Sequence, residues 1–147
     1  MMEYRSARTG RVFVLSLRDN DDVYACVHDV ARKENIRAAL VTAVGGIRRA
    51  KVVVGPKSPT GPIEPEFRQF NDAREIVATG TLFWDEDNPH LHIHMAFGRG
   101  DTVLVGCPRG GADAFCVLEI ILLEILDLDA QRLPDPQTGL KLLSFLR

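Results

Sequence analysis

From Arg11 to Leu17 (RVFVLSL) Phe13, Leu15 and Leu17 alternate with Val12, Val14 and Ser16. That period of two predicts a strand buried on one face and partly covered on the other. Asp19-Asn20-Asp21-Asp22 follows as a turn with helix N-cap candidates, its acidic groups suited to the positive end of a helix dipole. Val23, Cys26, Val27, Val30 and Ala31 then recur every three or four residues, so a helix is expected to about Lys33, with Asn35 as its stop. In this helix Cys26 falls on the core side and His28 on the solvated side.

Two strand-like runs, 38–44 (AALVTAV) and 50–54 (AKVVV), flank Gly45-Gly46, which reads as a tight connection within a sheet. Four prolines and two glycines between Gly55 and Pro65 predict a mobile loop, because missing donors and fixed φ angles exclude regular structure. Further strands are expected over 67–70, 75–84, 91–97 and 102–105, joined by turns at 71–72, 85–89 and 98–101. The run 114–128 (AFCVLEIILLEILDL) fits a helix by its Leu, Ala and Glu content and a central strand by its continuity. A turn over 134–139 and a last strand over 140–145 complete a mostly antiparallel sheet with at least one packed helix.

The 147 residues, 46% hydrophobic and 26% charged, suit one globular domain over residues 1–147 and argue against disordered, collagenous or coiled-coil classes. A formal charge of −2 creates no global field toward nucleic acid or an anionic membrane. No secretory core or bilayer-length apolar run is present, so a cytoplasmic protein with no membrane role is expected. The basic side chains Arg5, Arg8, Arg11, Arg48, Arg49, Lys51 and Arg109 are scattered without aromatic interleaving or an Arg-Gly-Arg-Pro hook, and they read as solvated surface charge.

Candidate chemistry concentrates in Pro89-His90-Leu91-His92-Ile93-His94-Met95. On a strand, period two puts the histidines on one face while Leu91, Ile93 and Met95 enter the core. His92 and His94 could then converge on one Zn²⁺, with His90 as an optional ligand at the strand mouth. The other reading is a row of solvated or hydrogen-bonded imidazoles. Cys107 follows a short strand that can return beside the histidines, which makes it either a third zinc donor or an ordinary loop thiol. Cys116, within an apolar run, reads as packing. Glu75 and Glu119 are embedded in strand-like runs, as acid/base or metal-binding carboxylates or as salt-bridge partners. No GxSxG, P-loop, GxGxxG or HExxH motif is present.

The order of these motifs resembles the PPC (plants and prokaryotes conserved) domain family over nearly the whole chain. Residues 11–52 look like its opening strand, acidic turn, helix, strand and Gly-containing turn, with Asn20-Asp21-Asp22-Val23 where a hydrophobic residue plus Gly-Glu-Asp-Leu is usual. Glu75-Ile76 and Thr79-Gly80-Thr81 resemble its Glu-hydrophobic, Ser-Gly-Thr strand. Leu91-His92-Ile93-His94 matches its Leu-His-Leu-His, and Asp135 to Leu140 (DPQTGL) matches its usual ending. The resemblance implies an α+β fold, a mostly antiparallel β-sheet with one main packed helix and short helices, assembled as a homotrimer. It also makes 114–127 a strand, with Glu119 at the family's Ala-Glu-hydrophobic position.

A histidine-based, zinc-type site is implied as well. It carries over onto His92 and His94, whereas the family's Gly-Gly-His-Leu becomes Val105-Gly106-Cys107-Pro108, so that Cys107 stands in for the third histidine. Bacterial and archaeal members are usually stand-alone proteins called predicted DNA-binding proteins. The first expectation is therefore a DNA-associated regulator carrying a His92/His94/Cys107 zinc site. A metal-dependent enzyme or small-ligand-binding module without a DNA role comes next, and a structural or protein-binding trimer last.

Overall fold

The computed structural model describes residues 2–146. Its elements run β1 (Arg8–Arg18), α1 (Val23–Lys33), β2 (Ala38–Pro56), β3 (Pro65–Phe70), β4 (Arg74–Asp85), β5 (Asn88–Arg99), β6 (Thr102–Leu126), β7 (Ala130–Pro134) and β8 (Lys141–Phe145). The first six strands to take part in one sheet lie in the order β1-β6-β5-β4-β2-β3, all pairs antiparallel, and β6 also pairs with β2. Thr102–Gly106 of β6 hydrogen-bond to β5, and Cys107 onward to β2, so the sheet folds back on itself. β7 and β8 form a separate hairpin.

The helix follows its sequence signals closely. Asp22 caps it by accepting from the Ala25 amide at 2.8 Å, and Asn35 leaves it in the left-handed region at φ 52°. Val23, Val27 and Ala31 are fully buried against Ile36, Val41, Leu118 and Ile120. The period-two reading holds in β1, where Leu17 is buried, Phe13 and Leu15 pack on the core, and Val12 and Val14 are exposed. The run 114–127 is strand through Leu126, with Leu118, Ile120 and Leu122 in the core.

Several expectations need correction. The runs 38–44 and 50–54 are one strand of 19 residues, and Gly45-Gly46 is not a connection. Those glycines mark a break in the register between β2 and β6, opposite Phe115 and Leu118. Gly45 has φ 133°, and a Cβ there would lie 2.4 Å from the Val117 carbonyl oxygen, so the close approach of β6 requires glycine. Likewise 102–105 and 114–126 belong to one 25-residue strand, because Pro108, Ala112 and Asp113 still pair with β2 on either side of an irregularity at 109–111. The Pro-rich loop is shorter than 55–65, since Pro56 and Pro65 close the β2–β3 ladder opposite one another.

Among the described residues α1 is the sole helix, so the architecture is more strand-rich than an α+β sheet with additional short helices. Cys116 is exposed rather than packed. It occupies the bulge in the left-handed region at φ 60°, and its amide donates to Asp19 Oδ1 at 2.8 Å. No helix of the described residues is long and apolar enough to cross a membrane.

Candidate metal centre

Cross-strand pairing locates the histidines. Ile93 and Met95 are buried, which turns His92 and His94 to the opposite, exposed face, where they oppose Thr81 and Thr79 of β4. β6 reaches this site because Gly106 opposes Met95 and the next residue, Cys107, transfers to Val53 of β2. Gly106 permits the crossing, for a Cβ there would stand 2.2 Å from the Val53 carbonyl oxygen. Ligand atoms of His92, His94 and Cys107 consequently lie within 4.8 Å of one another, and the three distant donors anticipated from the sequence do converge.

The donor set suits a borderline-soft, tetrahedral cation. His92 Nε2 and His94 Nε2 are 3.2 Å apart, one donating to the other, with the rings edge to face at 79°. A zinc tetrahedron with Zn–N of about 2.0–2.1 Å has an edge of about 3.3–3.4 Å, so replacing the shared proton by a cation requires little movement. Desolvation, followed by Arg132 and His94, pushes His92 down to about 4, which keeps its imidazole neutral and able to ligate near pH 7. Cys107 is 4% exposed, with its thiol 3.7 Å from the Pro108 carbonyl oxygen. Two imidazoles and one thiolate are a common zinc set, and three protein donors leave one position of the tetrahedron for a ligand.

The surroundings contain residues that sequence reasoning missed. Tyr24 Oη donates to the Pro108 carbonyl at 2.8 Å, so it shares that acceptor with Cys107. Burial, then the neighbouring Cys107, raises its pKa. His28 is half-buried rather than solvated, and its Nε2 accepts from the Leu91 amide at 3.2 Å. It thereby satisfies a donor on the β5 edge, where β6 pairs only from Met95 onward. Desolvation first, then Arg32 and His90, lowers the His28 pKa. The helical i, i+4 spacing of Tyr24 and His28 was the available signal, and their rings meet edge to face at 6.2 Å. Arg132 had no such signal: it lies in β7, and the hairpin places it above Thr81, across the ladder from His92.

Other candidates fall outside the centre. His90 does not join the cluster; its Nδ1 is buried without a partner, and desolvation followed by Arg132 lowers its pKa. Glu75 and Glu119 are both exposed on the histidine face. Register sets Glu75 four residues along from the His94 pair and Glu119 three strands away from β5, distances of about 13 and about 14 Å. Neither contacts the histidines within one chain. The buried carboxylate is Glu124, which is 5% exposed and forked by Arg11 at 2.8 and 2.9 Å.

Comparison with known proteins agrees with this architecture. Residues 4–126 match the Plants and Prokaryotes Conserved (PCC) domain. A metal-containing protein of Archaeoglobus fulgidus superposes with a TM-score of 0.85 at 23% identity, covering 99% of this chain and 100% of that one. A conjectural DNA-binding protein of Ralstonia eutropha JMP134 gives 0.75 at 20% identity, covering 90% of each chain. At these identities the likeness establishes the fold. Bifunctional protein GlmU of Synechococcus sp. (strain JA-3-3Ab) is 30% identical over 131 residues, 88% of this chain and 20% of that protein. The chain thus spans about a fifth of the length of this curated relative.

Proposed function

This chain belongs to the Plants and Prokaryotes Conserved (PCC) domain family, and on that footing we propose that it is a DNA-associated regulatory protein whose working part is a zinc-type centre carried by a homotrimer. The convergence of His92, His94 and Cys107 within 4.8 Å carries this reading. Bound Zn²⁺ would supply a Lewis-acidic position open to a ligand, while the chain's own donors fix its place on the sheet.

Assembly is supported by the face on which the centre lies. Val12 and Val14 of β1, Ile121 of β6, Leu40 and Val44 of β2, Val77 of β4 and Val105 of β6 are each exposed by 39% or more. Their pairing makes them neighbours in one apolar surface that runs up to the two histidines. A surface of this kind on a small protein calls for a partner, and two further copies of the chain are the occupants that the family resemblance implies.

Association with DNA is favoured by the description of the Ralstonia relative, and the charge distribution limits how it could occur. Arg8, Arg11, Arg48 and Arg49 are paired with Asp127, Glu124, Asp19 and Asp113. Phosphate contact would therefore rest on basic side chains outside these pairs, such as Lys51 and Arg109, repeated by the assembly. A salt titration examines this: the affinity should fall with increasing salt, with a slope that counts the phosphate contacts. No measurable binding near 50 mM salt would remove the DNA role.

The metal is tested by elemental analysis of purified protein and of its variants. One zinc per chain is expected, with affinity reduced at least tenfold by His92→Ala and by Cys107→Ser. Substoichiometric metal that is indifferent to both changes would refute the centre. The open position and the adjacent Tyr24 hydroxyl favour a second reading, a metal-dependent enzyme, and zinc-dependent turnover lost in His94→Ala would promote it.

A further inference from the structure

Arg132 is the most unusual charge in the molecule. It is 8% exposed, yet among the described residues it makes no ion pair. Its Nη2 donates to Thr81 Oγ1 at 2.8 Å, its guanidinium stands 5.7 Å from the centre of the Phe83 ring, and its Nε is buried with no partner at all. Burying a guanidinium against a hydroxyl and an aromatic face, with a donor left idle, is costly unless an anion completes the arrangement. Three turn carboxylates share a cavity with Arg132, and none of them does so. Asp85 is paired with Lys141, while Glu86 and Asp87 are exposed.

Position gives the missing anion its setting. Thr81, the one partner of the guanidinium, is the cross-strand neighbour of His92. Arg109 lies two residues beyond Cys107, on the exposed stretch that follows it in β6. His90, opposite Phe83 and two residues before His92, adds a second buried, unpartnered polar atom in its Nδ1. Arg132, through Thr81, and the idle His90 nitrogen, two residues before His92, therefore neighbour one metal donor, and Arg109 lies two residues beyond another.

We propose that Arg132 anchors a small oxyanion, a carboxylate or phosphate group, seated beside the His92/His94/Cys107 centre. The fork of the guanidinium matches paired oxygens, with Nε and Nη2 as donors. Thr81 holds the fork in place and Arg109 steers the anion inward from its exposed position. Recognition by a buried Arg also selects against neutral ligands, which would leave the charge unanswered. The inference rests on the metal reading for its setting, although the guanidinium site is defined by its own contacts.

Cobalt(II)-loaded protein tests it, since the visible spectrum of the metal reports both its loading and any ligand arriving at it. Titration with inorganic phosphate and, separately, with propionate should perturb the cobalt bands saturably. Arg132→Gln should weaken that titration about ten- to a hundredfold, the range for a lost charge-assisted contact, with cobalt stoichiometry unchanged. Arg132→Lys, which keeps the charge without the fork, should fall between the two. If cobalt loads normally but neither anion perturbs it, or if Arg132→Gln and Arg132→Lys both titrate like the parent, the anion site is wrong and the metal reading stands. If no cobalt binds, the metal reading fails, and calorimetric titration of phosphate into the metal-free parent and Arg132→Gln decides the anion site: loss in the variant supports it, and equal or absent binding overturns it.

Discussion

Glu124 shows how one buried carboxylate is kept ionised. Arg11 grips it with Nε and Nη2, and the Arg11 amide donates to it at 3.1 Å. The Arg11 side-chain hydrogen bond chiefly lowers the Glu124 pKa, against the opposing effect of burial. A carboxylate with a depressed native pKa stabilises the fold fully above its unfolded value and loses that contribution as pH falls through the native one. Glu124→Gln should therefore lower stability at pH 7 by about 1–2 kcal/mol and flatten the decline of the melting temperature below about pH 4.5, as followed by calorimetry across pH. Arg11 is half-exposed, which keeps the effect at this modest size. Cys116 offers a backbone counterpart. Its left-handed conformation favours glycine and penalises β-branching, so Cys116→Gly should be neutral to stabilising while Cys116→Val costs about 1–2 kcal/mol in denaturant unfolding.

At the scale of elements, the path of β6 determines whether a centre forms at all. Gly106→Ala would drive a Cβ into the Val53 carbonyl and the Val52 side chain, a backbone clash that β6 can relieve only by moving away from β2. A loss of about 1–3 kcal/mol is expected, together with metal binding weakened beyond what stability alone explains, because Cys107 travels with the strand. Much of this was legible in the chain. Alternation set the faces of β1 and β5, and the acidic turn and Asn35 bracketed α1, because these signals act between near neighbours. The continuity of β2 and β6 was hidden, since glycines that usually end a strand serve there as bulges, and only the partner strand distinguishes the two uses. Arg132 was hidden for a related reason: a long-range hairpin, not local periodicity, buries it.

For the whole molecule, one apolar face carrying the His92/His94/Cys107 cluster means that the proposed assembly and the proposed metal site would share a surface. Val14 of the edge strand β1 and Ile121 of β6 are paired on that face. Ile121→Asp should convert the proposed trimer to monomers in sedimentation analysis while the circular dichroism of the fold persists; a parent that is already monomeric would refute the assembly, and a variant that stays trimeric would assign the contact to another surface. The proposed centre depends most on the identity of its three donors. Zinc K-edge absorption of the loaded protein addresses them directly, since sulfur and nitrogen scatter differently and at different distances. The expected first shell contains one sulfur at about 2.3 Å and two imidazole nitrogens at about 2.0–2.1 Å, with the sulfur lost in Cys107→Ser. A shell without sulfur, or without imidazole scattering, would contradict the centre described here.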